Sequence, residues 1–126
     1  MRKQITLVLI GAFGLLLFLS LNYGRAADDA FPEEIGAILK SSCYDCHSTG
    51  SRSEDALKAV HFDTWNDYRV TKKIGILGKM GEVIEEGKMP PKKYLDNKPD
   101  RKLTEDQTKK LLEWTKTESE RLMQGN

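Results

Sequence analysis

Cys43-Tyr44-Asp45-Cys46-His47 reads C-x-x-C-H, the spacing at which a c-type haem is attached. Two cysteines three residues apart lie on the same side of one helical turn, so both sulfurs reach the two vinyl groups along one side of a porphyrin. The next residue, His47, then turns its imidazole toward the iron as proximal ligand. Five residues thereby specify a cofactor, a covalent linkage and half of the axial coordination.

Three competing readings are weaker. Two cysteines in an exported protein commonly form a disulfide. A redox dithiol wants a βαβ pattern nearby, and none surrounds residues 43–47. A zinc site needs a second ligand pair. His61 is the only other histidine and no further cysteine exists, so a tetrahedral set falls one ligand short unless a carboxylate completes it.

Upstream of the motif the composition changes. Arg2 and Lys3 precede an almost unbroken apolar run over residues 5–21, which ends near Gly24-Arg25-Ala26-Ala27. This is a basic start, a hydrophobic stretch and a small-residue exit, with Gly24 and Ala26 placed for cleavage after Ala26. The run exceeds the usual signal core of about 7–15 residues and just reaches the lower limit of about 17 for a membrane span. A cleaved signal is favoured over a retained membrane anchor, and both export the remainder. No cysteine ends the run, which excludes a lipoprotein anchor. The expected division is a leader over residues 1–26 and one haem domain over 27–126, periplasmic or otherwise extracytoplasmic, either soluble or tethered to the membrane through residues 5–21.

The full chain carries 20 basic and 19 acidic residues, net +1. Arg2, Lys3 and Arg25 lie in the leader, so 17 basic residues face 19 acidic ones after cleavage, net −2. That balance excludes a strongly basic nucleic-acid binder. A domain of about 100 residues is marginal for a protein-only core. A buried porphyrin would supply missing apolar surface, so the haem-free form is expected to fold poorly, as metal-dependent domains do without their metal.

The pattern along the chain predicts an all-α fold. Pro32, followed by Glu33 and Glu34, suits a helix start, and Ile35, Ile38, Leu39 and Ser42 share one face over 32–42. Residues 48–55 read as a polar surface loop, and Ala56 to Val60 as one helical turn. Asp63 or Thr64 can cap a helix carrying Trp65, Tyr68 and Val70. Gly75 and Gly78 are expected to interrupt it. Ile76, Leu77, Met80, Val83 and Ile84 then keep a helical period to about Glu86, with Gly87 as C-terminal cap. Residues 92–102 read as a basic loop. Thr104-Glu105-Asp106-Gln107 is a capping box that opens a last helix over about 105–123.

Met89 is the expected second axial ligand. A methionine thioether raises the reduction potential of a haem. Met89 follows the helix-ending Gly87 and precedes Pro90, and a residue before proline is driven to extended backbone. His61 is the rival. Met80 sits at a core position and Met123 near the chain end, so neither is expected to ligate.

These residues resemble the small class I monohaem c-type cytochromes over about residues 31–122. The shared parts are a helix running into Cys43–His47, a later Met-Pro, and a last helix with Leu111-x-x-Trp114. The resemblance implies a close crossing of first and last helices, with Gly36 against Trp114. A narrower set is similar to the bacterial haem-binding-domain family of exported monohaem proteins. It comprises Cys43-Tyr44-Asp45-Cys46-His47-Ser48, Phe62-Asp63-x-Trp65-x-x-Tyr68, Lys88-Met89-Pro90-Pro91-x-x-Tyr94 and Lys102-Leu103-Thr104 ahead of Leu111. The segment after His47 is shorter and more polar than in many members.

The expected function is electron transfer on one haem c, bonded through Cys43 and Cys46 and ligated by His47 and Met89, with no enzymatic role. A peroxidase-like haem subunit or a redox or gas sensor are the alternatives. Both need an open or displaceable sixth position. Lys88, Lys92, Lys93, Lys98, Arg101 and Lys102 against Asp96 and Asp100 form a basic stretch suited to an acidic or membrane-bound redox partner. Tyr44 and Asp45 fill the variable positions of the motif and suggest no chemistry.

Overall fold

The computed structural model describes residues 30–125; the expected leader over residues 1–26 lies outside the described residues. Among the described residues every regular element is helical, as the sequence predicts. Pro32 stands at the N-cap of α1 (Glu33–Ser42), with Glu33 and Glu34 in its first turn. Ile35, Ile38, Leu39 and Ser42 are its buried face. The Cys43 amide donates to the Leu39 carbonyl at 2.8 Å, closing α1. The single-turn helix α2 (Tyr44–His47) starts at the next residue.

A turn through Gly50, at φ +89°, leads to α3 (Glu54–Ala59). It is capped by the Ser53 hydroxyl, which accepts from the Ala56 amide at 3.3 Å. Helix therefore begins two residues earlier than predicted. The predicted helix carrying Trp65, Tyr68 and Val70 is two elements. A 3₁₀ stretch spans Phe62–Asp67, the backbone is extended at Tyr68 and Arg69, and Val70 opens α4 (Val70–Glu85). Phe62 and Trp65 are both buried by the tighter turn.

Helix α4 runs unbroken through Gly75 and Gly78, against the predicted interruption. Each internal glycine disfavours helix by about 1 kcal/mol, but most helix stability in proteins comes from packing of the apolar face. That face is Ile76, Leu77, Met80 and Ile84. After α4 come α5 (Lys92–Leu95), a 3₁₀ turn at Pro99–Arg101 and α6 (Glu105–Met123). The predicted capping box opens α6. The Thr104 hydroxyl accepts from the Gln107 amide at 3.1 Å, and the Thr104 amide donates to Oε1 of Gln107 at 3.0 Å.

The core sits where α1, α4 and α6 meet. Leu39, Leu77 and Leu111, one from each, are fully buried. Phe31 is the hub of an aromatic cluster, with ring centroids 5.8 Å from Phe62, 5.4 Å from Trp65 and 5.8 Å from Trp114, spacings that suit edge-on and tilted rings. The glycine contact expected at the last helix is found elsewhere. A Cβ on Gly36 would meet only Phe31, at 3.9 Å, whereas one on Gly81 would meet the Thr115 hydroxyl at 3.3 Å. The close approach is thus between α4 and α6, at the small residue that permits it.

Candidate functional site

The end of α1, α2 and α3, the inner face of α4 and the chain leaving α4 enclose a cleft with two lobes. One, of about 280 Å³, is lined by Cys43, Cys46, His47, Met89 and Tyr94 among others. The second, of about 260 Å³, is walled by Phe62, Ile76, Met80, Val83, Ile84 and Leu103. Cys43, His47, Ala59, Met89 and Pro90 line both. All four sequence-predicted site residues thus face one cleft.

Helix α2 is held by bonds from the amides of Cys46 and His47 to the Cys43 carbonyl, at 3.2 and 3.1 Å. The single turn puts both sulfurs on the cleft side. The two cysteines are not joined in a disulfide. Burial pushes the Cys43 thiol up to about 12, and Cys46 adds to the rise. A thiol raised that far is protonated at neutral pH, the reverse of the lowered pKa on which dithiol oxidoreductases depend. Among the described residues no group of three or more His, Cys, Asp or Glu could hold a metal ion.

His47 Nδ1 lies 3.0 Å from the Ala56 carbonyl and 3.1 Å from the Val60 carbonyl. Carbonyl oxygens only accept, so Nδ1 carries the proton and donates. Nε2 is left with its lone pair free. Ligating histidines are oriented in the same manner by a second partner on the other ring nitrogen. Helix α3 and its C-cap Val60, which supply these carbonyls, therefore set both the tautomer and the orientation of the ring.

Met89 reaches the cleft from the end of α4. Gly87 adopts φ +66°, its amide donates to the Ile84 carbonyl at 3.0 Å, and the Lys88 amide to the Val83 carbonyl at 2.8 Å. This pair of bonds around a left-handed glycine is a Schellman motif. The Met89 amide also donates to the Val83 carbonyl, at 3.2 Å, so the backbone of the methionine is anchored to the helix it leaves. Met89 is 37% exposed. The rival ligand His61 lines neither lobe. Its Nε2 lies 3.2 Å from the Thr49 hydroxyl and 3.7 Å from a carboxylate oxygen of Asp63. Met80 packs in the core, 8% exposed.

Sequence reasoning missed Asp45. Its Oδ2 accepts from the Tyr94 hydroxyl at 2.8 Å and from the Lys98 ammonium at 2.6 Å. The hydrogen bonds from Lys98 and then Tyr94 hold its carboxyl below the usual carboxylate range. The partners are 49 and 53 residues away along the chain, so no local signal announces them. Arg101 adds a bond to the Ser41 carbonyl at 2.8 Å. The expected basic stretch is therefore partly engaged: Lys88 pairs with Glu86 at 2.6 Å and Lys98 with Asp45, while Lys92, Lys93 and Lys102 are exposed.

The cleft fits a haem. Its lobes together amount to roughly 500 Å³, inside the range of about 300–1,000 Å³ for small-molecule and cofactor sites. Its wall is mostly apolar, and its polar lining includes two thiols and an imidazole with a free nitrogen lone pair, beside Ser42, Asp45, Ser53, Asp55, Tyr94 and Lys79.

No curated protein and no solved structure matches the chain. A family model for the haem-binding domain matches residues 53–117. The match starts just downstream of Cys43–His47 and takes in Met89, the capping box of α6 and Trp114. It spans just over half of the chain, and the chain belongs to the haem-binding domain family.

Proposed function

We propose that this haem-binding protein carries single electrons between redox partners outside the cytoplasm. In this reading the haem is bonded through Cys43 and Cys46 and ligated by His47 and Met89. The observation that carries the reading is the shared cleft: two thiols, one imidazole of fixed tautomer and one thioether line the same apolar space.

A bound haem supplies one-electron chemistry at its iron. The chain's own residues supply rigidity and exclusion. The carbonyls of Ala56 and Val60 hold the His47 ring, so Nε2 needs no reorientation when charge changes. The cap around Gly87 holds Met89 in the same way. Two fixed protein ligands leave no position for a substrate, which favours a carrier over an enzyme. Ile76, Met80 and Ile84 keep water from the α4 side. The half-exposed Met89 and the neighbouring Lys88, Lys92 and Lys93 mark the edge where an acidic partner would approach, through a contact that is small and weakens with salt. Residues 5–21 act as export signal or membrane anchor.

The test is an intact mass with a redox-titrated spectrum. The expected result is one covalently held haem and a ferric Met–iron charge-transfer band that Met89→Ala abolishes. A mass without haem overturns the reading. So does a high-spin ferric spectrum with ready CO binding in the ferrous form, which points to the enzyme or sensor alternatives.

A further inference from the structure

We propose that Asp45 is a positioning residue that latches the Met89 segment across the cleft to the turn carrying Cys43, Cys46 and His47, and so sets how firmly Met89 is held as a ligand. The inference rests on the His47/Met89 reading above.

Residues 86–102 leave α4 and return to α6 with no buried residue of their own. Pro90, Tyr94 and Leu95 are only partly buried, so apolar burial gives the path little hold. Upstream, Met89 is secured by the bonds to Val83 and Ile84. Downstream, the chain would be free to swing on Pro90 and Pro91 were it not tied back. Asp45 provides the tie. Its Oδ2 receives both the Tyr94 hydroxyl and the Lys98 ammonium. Tyr94 lies five residues after Met89, beyond Pro90 and Pro91, and lines the same lobe as Cys46 and Met89. Asp45 lies inside the attachment motif itself, one residue before Cys46. The two halves of the proposed ligand set are thus joined by one carboxylate. Hydrogen bonds to a charged group are the stronger kind, and the Tyr94 bond orients as well as attracts. Arg101 on the Ser41 carbonyl, 2.8 Å, repeats the connection one turn further on.

The experiment compares the full-length haem-loaded protein with Asp45→Ala, Tyr94→Phe and Asp45→Glu by titration with imidazole, a small competitor for the Met89 position. Loss of a hydrogen bond to a charged group, discounted for a carboxylate partly open to water, corresponds to about five- to tenfold in an equilibrium. Imidazole should bind about that much tighter to Asp45→Ala, with a smaller gain in Tyr94→Phe and recovery toward wild type in Asp45→Glu. Haem content should be unchanged, since the thiols are untouched. Unchanged imidazole affinity in Asp45→Ala, with the Met–iron band present in the wild type, overturns the latch and leaves the ligand reading standing. Absence of the band from the wild type overturns the ligand reading, and the latch with it.

Discussion

The seam between α4 and α6 and the segment over residues 86–102 are held by different physics. The seam is built on Leu77 and Leu111, both fully buried, and on Gly81 lying close against Thr115. The segment that brings Met89 to the cleft buries no residue. It is fixed by directed bonds: the Gly87 cap, the Asp45 tie and the Arg101 bond. A fully buried leucine is worth several kcal/mol, whereas exposed polar ties are worth about 1 kcal/mol or less each. Stability and the placement of Met89 are therefore separable in this molecule, and substitutions on the two sides should report differently.

The largest effect is expected at the seam. Leu111→Ala should lower unfolding free energy by about 3 kcal/mol, a large part of the 5–15 kcal/mol typical of a domain. The urea midpoint should fall with little change in slope. A loss under about 1 kcal/mol would remove the claim that packing here carries the fold.

Gly87→Ala probes the other side. A Cβ meets no atom there, but φ +66° is unfavourable for any residue with a side chain, by about 1 kcal/mol. The melting temperature should drop by roughly 4–8 °C. On the proposed ligation the Met–iron band should weaken as well, while Leu111→Ala should leave that band intact wherever the protein is folded. Equal response of the band to both variants would erase the contrast between the two regions.

A finer comparison lies within α4. At Gly75 a Cβ meets nothing within 4 Å, so Gly75→Ala should stabilise by about 0.5–1 kcal/mol through helix propensity and a less flexible unfolded chain. At Gly81 the same methyl meets the Thr115 hydroxyl at 3.3 Å. That hydroxyl is buried and donates to the Leu112 carbonyl at 2.9 Å, so it cannot turn aside without breaking its bond. Gly81→Ala should therefore be less stable than Gly75→Ala by about 1 kcal/mol, read from paired denaturant curves. Equal gains at both positions would show that the seam has room to spare.

Local chemistry was the legible part of this chain. The face of α1, the Gly87 cap and the Thr104–Gln107 box each depend on residues within a few positions of one another, and each was readable. The C-x-x-C-H motif and Met-Pro were readable for the same reason, and the fold brings their four side chains to one cleft. What depends on distant partners was not readable. Helix α4 continues through Gly75 and Gly78 because α6 packs along it, which propensity does not register. The glycine that meets the last helix is Gly81 and not Gly36, a choice made by helix geometry that a family pattern did not settle. Asp45 looked like a free position of its motif because both of its partners lie about half a chain away.

The smallest expected effect is a polar tie beside the 3₁₀ stretch. Asp63 Oδ2 accepts from the Thr49 amide at 2.7 Å, pinning the turn after α2 to the 3₁₀ stretch. This bond first, and the Thr49 side chain next, hold the Asp63 carboxyl below its ordinary pKa. A folded-state pKa below the unfolded one gives stability that is present above the unfolded value and lost as pH falls through the folded one. The side chain is 39% exposed, so solvent limits the effect to a few tenths of a kcal/mol. Asp63→Asn should thus be slightly less stable than wild type near neutral pH, and the two curves should converge on the acid side of about pH 4. A gap that persists into acid would mean that Asp63 acts through the shape of the turn rather than through its charge, and the turn after α2 would then depend less on electrostatics than its hydrogen bonds imply.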